Sequence, residues 1–293
     1  MKRLGLYIVL AGVIFGCKDT WEHPWPDIPA EPQEVHPKIE HPPISFPVSE
    51  TKEPYFELQD AGFEALLIIL SIDSDNQING KVSREDLTKL KEFTHTSPVY
   101  PFHPIVKKQK TEFLERNYGV IPSIVSFDDI RYMENIKTLE VHAGKSIDLS
   151  HNTSLERISW INPTFDTLDL RGLQNLKHME FISQYYYGEG SKNTGEVLLG
   201  SNSSLEVFKY WGVTTQIDLT SAVNLKTLYL QATQYSEPVL DLSKNVNLEE
   251  VSIYVGNSLN PIKVLISPES RARMDRQPDK WKKYEKLEWV VKE

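Results

Sequence analysis

One pattern returns five times between residues 147 and 253, and it constrains the chain more than any other feature. Its first copy reads Ile147-Asp-Leu-Ser-His-Asn-Thr-Ser-Leu155-Glu-Arg-Ile158-Ser-Trp160, and it begins again at Leu168, Val197, Ile217 and Leu240. Successive starts lie 21, 29, 20 and 23 residues apart. A half-copy, Ile136 to Val141, precedes the five, and Ile262 to Ile266 follows them. Within the L-x-x-L-x-L part the apolar period becomes two, as a strand with one buried face requires. A unit of this size cannot bury its apolar face alone, so the copies must stack on one another.

A period of about 20–29 residues carrying L-x-x-L-x-L is the signature of leucine-rich repeats. The expected fold is therefore an α+β solenoid of about five to six coils over residues 124–268. A small helical N-terminal cap is expected over 55–123 and a C-terminal cap over 269–293. In four of the five copies an Asp follows the first apolar residue (Asp148, Asp169, Asp218, Asp241), and the copy at Val197 has Leu198 there. Inward neighbours flank it, so it points outward, and with the Ser and Asn that follow it reads as turn chemistry rather than a metal ligand.

The same alternation names the residues that leave the core. The outward position after each L-x-x-L-x-L gives a column of His142, Ile161, Ile182, Trp211, Gln231 and Tyr254, with Tyr229 at the preceding outward position, two residues earlier. Ile161, Ile182, Trp211, Tyr229 and Tyr254 form a candidate ligand face, because nothing in a strand requires apolar groups on its solvated side. The longest spacing contains an insertion with three tyrosines, Tyr185, Tyr186 and Tyr187, before a Gly-rich tip. Insertions in stacked repeats emerge on one face, often the binding face, so these tyrosines join the candidate face.

A second motif lies ahead of the repeats. Asp75, Gln77, Asn79, Lys81, Ser83 and Asp86 occupy positions 1, 3, 5, 7, 9 and 12 of a loop spaced like an EF-hand, with Gly80 at its sharp turn. Phe63, Leu66, Leu67 and Leu70 predict a helix before it, and Leu87, Leu90 and Phe93 predict one after it. With only two acidic ligands, calcium binding is expected to be weak, in the millimolar range of extracellular modules. The alternative is a loop that caps the fold without an ion, with Ser83 and Asp86 capping the second helix.

The N-terminus places the chain outside the cytoplasm. Lys2 and Arg3 precede an apolar run from Leu4 to Phe15. That run is shorter than the roughly 20 residues a spanning helix needs, so residues 1–16 read as a signal peptide. Gly16-Cys17, with the only cysteine of the chain, resembles the lipobox of bacterial lipoproteins. That resemblance implies that Cys17 is lipidated and becomes the mature N-terminus. Nine of the eighteen prolines fall between Pro24 and Pro54, so residues 17–54 read as an extended tether. The formal charge of −9 argues against nucleic acid as a partner, since phosphate recognition needs a basic stripe.

The repeat form Leu240-Asp-Leu-Ser-Lys-Asn-Val-Asn-Leu248 resembles that of leucine-rich-repeat surface lipoproteins of Gram-negative gut bacteria, which also carry an EF-hand-like N-terminal cap. Lys18-Asp19 resembles the surface-export tag of such lipoproteins. The resemblance implies an outer-membrane lipoprotein, at the cell surface rather than the periplasmic face. No nucleophile elbow, H-E-x-x-H or Cys–His pairing is present, so an enzyme is not expected. The expected function is a membrane-anchored, extracytoplasmic protein-interaction or adhesin-like module. Alternatives are a glycan-capture lipoprotein and a purely structural envelope protein.

Overall fold

Alternation decides the strands. Along Arg157–Ile161 and His178–Ile182 every second side chain is buried, and the residues between remain partly exposed. The computed structural model describes residues 53–95, 124, 126–142, 147–162, 165, 167–182, 196–212, 217–232, 237–255, 261–282, 284 and 286–292. The chain divides into two units, Met1–Ile39 and Glu40–Glu293, and all described residues belong to the second. The expected signal peptide, Cys17, the expected tether up to residue 52, and Tyr185–Tyr187 lie outside the described residues.

The order of elements begins β1 (Tyr55–Glu57), α1 (Ala61–Ile69), β2 (Lys81–Ser83), α2 (Arg84–Thr88), β3 (Glu92–His95). A 3-10 turn at Asp128–Tyr132 leads to β4 (Thr138–His142), β5 (Arg157–Ile161), β6 (Thr167–Asp169) and β7 (His178–Ile182). Then come β8 (Glu196–Leu198), β9 (Val207–Gly212), β10 (Thr227–Ala232), β11 (Val239–Leu242), β12 (Glu250–Val255) and β13 (Ile262–Ile266). The last elements are α3 (Pro268–Arg276), a 3-10 turn, β14 (Trp281–Lys282) and β15 (Leu287–Val291).

Eight strands form one sheet in the order β14-β12-β10-β9-β7-β5-β4-β3, and every neighbouring pair is parallel. The register aligns equivalent positions of the sequence copies. Leu139, Ile158, Met179, Phe208, Leu228 and Val251 form one buried row, with Phe93 and Trp281 paired at its ends. Val141, Trp160, Phe181, Tyr210, Leu230 and Ile253 form the second. Burying each such side chain contributes about 1.5–3 kcal/mol. Trp281 meets Trp289 of β15 at 5.8 Å, so two indoles cover the C-terminal end of the core.

The expected class requires correction. The fold is not described by an α+β leucine-rich solenoid with a helical N-terminal cap. It is mostly parallel β and α/β-like, dominated by the eight-stranded parallel sheet, with three short helices among the described residues. Turns, not helices, make many of the links between strands. Asp148, Asp169, Asp218 and Asp241 each accept the backbone N–H two residues on, at 2.9–3.0 Å. Buried Asn152 and Asn245 reach further: Asn245 Nδ2 donates to Leu219 O and Ala222 O, in the preceding copy of the pattern.

The expected helical cap fails for a definite reason. Residues Leu87, Leu90 and Phe93 do not share a helix, because α2 ends at Thr88 and Phe93 enters β3 opposite Leu139. Asn135 Nδ2 donates to Thr88 O at 2.7 Å and so satisfies a carbonyl at the end of α2. Ahead of α2, β1 and β2 pair antiparallel, adding a small sheet where helices alone were expected.

Candidate functional site

The EF-hand-like loop is held by a residue absent from the expected ligand set. Glu64 projects from α1 and is fully buried. Its carboxylate accepts the backbone N–H groups of Asn79 (2.9 Å), Gly80 (2.9 and 3.0 Å) and Lys81 (3.1 Å). Gly80 adopts φ +78 at this turn, a left-handed conformation that suits glycine. The α1 helix is itself fixed by Asp60, which accepts from Phe63 N at its N-cap and from Ser126 N.

Three of the expected ligands, Asp75, Asn79 and Asp86, accept hydrogen bonds through their side chains. Asp75 accepts from Gln77 N at 2.7 Å and from Asn79 Nδ2 at 2.8 Å, while Asn79 Oδ1 accepts from Lys81 N. Both oxygens of Asp86 are taken, Oδ2 by the Ser74 N–H and hydroxyl and Oδ1 by Lys89 Nζ at 2.7 Å. The hydrogen bonds from Lys89 and Ser74 outweigh desolvation and hold the Asp86 carboxyl below its ordinary range. Ser83 precedes α2 without a side-chain cap. The carboxylate oxygens of Asp75 and Asp86 thus accept from N–H, hydroxyl and N–H₃⁺ donors, with which a calcium ion at this loop would compete. Nearby, the buried Asp73 has its carboxyl pushed up to about 6, chiefly by burial.

A different kind of site lies on the outward side of the large sheet. Parallel register places Ile182, Trp211, Gln231 and Tyr254 side by side at one position of β7, β9, β10 and β12. Two residues earlier come Glu180, Lys209, Tyr229 and Ser252, and two earlier again His178, Val207, Thr227 and Glu250. With Tyr284, which meets the Tyr254 ring edge-on at 5.3 Å, these side chains line a groove of about 580 Å³. Its size falls within the range of about 300–1,000 Å³ usual for ligand pockets.

Aromatic surface and polar groups alternate in this groove. Trp211 is 39% exposed, whereas Tyr210 beside it is 1% exposed. The strand period alone separates the two. The Tyr229 hydroxyl donates to Glu250 Oε1, and burial together with that carboxylate pushes the phenol up to about 12. Lys209 Nζ and His178 Nε2 each lie 3.5 Å from a Glu180 oxygen. Burial, and then the Arg157 charge, hold His178 below its usual range, so the imidazole is neutral at pH 7. The groove thus offers carboxylate acceptors, donors on Lys209 and Gln231, and aromatic side chains of which Trp211 and Tyr284 are exposed.

Of the sequence-derived ligand face, the fold brings Ile182, Trp211, Tyr229 and Tyr254 into this groove. Ile161 is paired with Ile182 but lies one strand beyond the groove lining. Sequence reasoning missed His178 and Glu250 as lining residues, although the same two-residue period extended by one step names them. It also missed Tyr284, which arrives from the segment after β14, where no repeat predicts its position. Compared with models of known protein families the chain matches none, and no curated protein matches its sequence.

Proposed function

We propose that this chain is an extracytoplasmic, membrane-tethered module that captures glycans in the groove of the large sheet. The tether is the segment that begins at Cys17. The observation that carries the reading is the pairing of the exposed Trp211 and the half-buried Tyr254 with the acceptors and donors Glu180, Glu250, Gln231 and Lys209. Sugars combine apolar C–H faces with rims of hydroxyls, and so need both kinds of partner at once. The protein-interaction reading draws on the same column together with Tyr185–Tyr187, which lie outside the described residues, and the mixture of aromatic and polar groups in the groove favours sugar.

Capture, rather than cleavage, suits the carboxylates. Glycosidases place two carboxyl groups roughly 5–9.5 Å apart across the scissile bond. The backbones at Glu180 on β7 and Glu250 on β12 are three strand spacings apart, about 14 Å. Glu250 also accepts from the Tyr229 hydroxyl.

Binding of the full-length protein to an array of immobilised oligosaccharides tests the reading. Oligosaccharides should be retained by the wild type and lost by Trp211→Ala and Tyr254→Ala at unchanged melting temperature. An array that retains nothing, or retention that ignores both substitutions, overturns it.

A further inference from the structure

Resting on the glycan-capture reading, we propose that the groove selects an uncharged, extended β-1,4-linked chain of gluco-configured sugars lying across the strands. Trp211 and Tyr254 would carry alternate sugar units. Three observations converge on this class of ligand.

The first is pitch. Trp211 pairs with Gln231 and Gln231 with Tyr254, so the two aromatic residues occupy the same outward position two strands apart. Two strand spacings come to about 9.6 Å. That is close to the repeat of two units in an extended β-1,4-linked chain, whose twofold screw turns the same ring face to one side at every second sugar. An α-1,4-linked chain coils instead and cannot keep that face on a straight row of strand positions.

The second is the chemistry between the platforms. Gln231 lies between the rings with an amide that both donates and accepts, matching a unit whose edge hydroxyls point toward the sheet. All-equatorial hydroxyls leave the ring faces apolar, as stacking on indole and phenol requires. The third is charge. The groove carries Glu180 and Glu250 against Lys209, while His178 is neutral at pH 7. A chain of uronates would bring carboxylates against these acids and against a protein of formal charge −9.

Isothermal titration of the full-length protein with cellohexaose, maltohexaose and a β-1,4-linked mannuronate hexamer decides the matter. Cellohexaose should bind about tenfold or more tightly than either competitor, equivalent to about 1.4 kcal/mol or more. Trp211→Ala and Tyr254→Ala should each weaken it about tenfold, with the melting temperature unchanged. Gln231→Ala should erode the preference over maltohexaose. Equal or tighter binding of maltohexaose or of the mannuronate hexamer, still dependent on Trp211, overturns the selectivity and leaves glycan capture standing. Failure of all three, together with an empty array, overturns both. Binding that survives both aromatic substitutions removes the groove from the explanation.

Discussion

Glu64 organises the turn of the EF-hand-like loop, and replacing it should show this directly. The side chain is fully buried and accepts three backbone N–H groups at 2.9–3.1 Å. Hydrogen bonds to a charged group contribute about 1.5–3 kcal/mol each. Simple addition would overstate the loss, because Asn79 and Lys81 are exposed and water can take up their donors once the carboxylate is gone. The expected cost of Glu64→Ala is therefore about 3–4 kcal/mol, near the upper end for single substitutions. Glu64→Gln should cost about 1–2 kcal/mol, since its carbonyl still accepts but its amide faces the Gly80 N–H. Urea unfolding monitored by tryptophan fluorescence, in chelator and in millimolar calcium, measures both. The midpoint should fall with an unchanged slope, and calcium should shift neither wild type nor variant. Amide exchange should accelerate at Asn79, Gly80 and Lys81 in Glu64→Ala. A loss below about 1 kcal/mol would show that the bonds do not hold the loop. A rise in wild-type melting temperature with calcium would show that Asp75, Asn79 and Asp86 exchange their present donors for an ion.

Three further substitutions test other parts of the molecule. Trp160 is fully buried between Val141 and Phe181, so Trp160→Ala should cost about 3–5 kcal/mol by chemical denaturation, and a loss under 1 kcal/mol would refute the inward assignment. Asp73 has its carboxyl raised to about 6 by burial, so its contribution to stability is present in full below its unfolded pKa near 4 and is lost as pH rises through about 6. Asp73→Asn should therefore be more stable than wild type at pH 7.5, by on the order of 2 kcal/mol, and level with it below pH 4; no pH dependence in the difference between the two melting curves would refute the shift. Cys17→Ser should abolish radiolabelled palmitate incorporation and release the protein from membranes, and a variant that still sediments with membranes would refute the tether.

The inward and outward sides of the strands are legible in the sequence because burial in a strand depends only on parity. Ile158 and Trp160 face in and Ile161 faces out by position, whatever their hydrophobicity. Register is legible for a related reason: equivalent residues of successive copies pair, Met179 with Phe208 and Phe208 with Leu228. Class is less legible, because the residues between strands carry no pattern that distinguishes a short helix from a turn closed by Asp and Asn. The spacing of Leu87, Leu90 and Phe93 suits one helix face, yet it equally suits a short helix that stops when Asn135 satisfies Thr88 and hands Phe93 to a strand.

The loop shows the deeper limit. Twelve residues spaced for calcium specify which oxygens are near one another, but not which donors reach them first. Glu64 lies 15 residues before Asn79 in the chain, and only the packing of α1 brings its carboxylate under the turn. Once there, it takes the N–H groups of Asn79, Gly80 and Lys81, while Ser74 and Lys89 claim Asp86. The groove obeys the same rule in reverse. Trp211, Tyr254, Tyr229 and Glu250 are placed by parity and register, so their positions can be read from sequence, but Tyr284 and the choice of Glu250 as the partner of the Tyr229 hydroxyl are set only in the fold. Residues set by local period can be assigned before the structure is known, whereas residues set by competition for hydrogen-bond partners cannot. The tightest test of the glycan proposal is therefore Gln231: the repeat fixes its position, but only the two neighbouring rings give it a role.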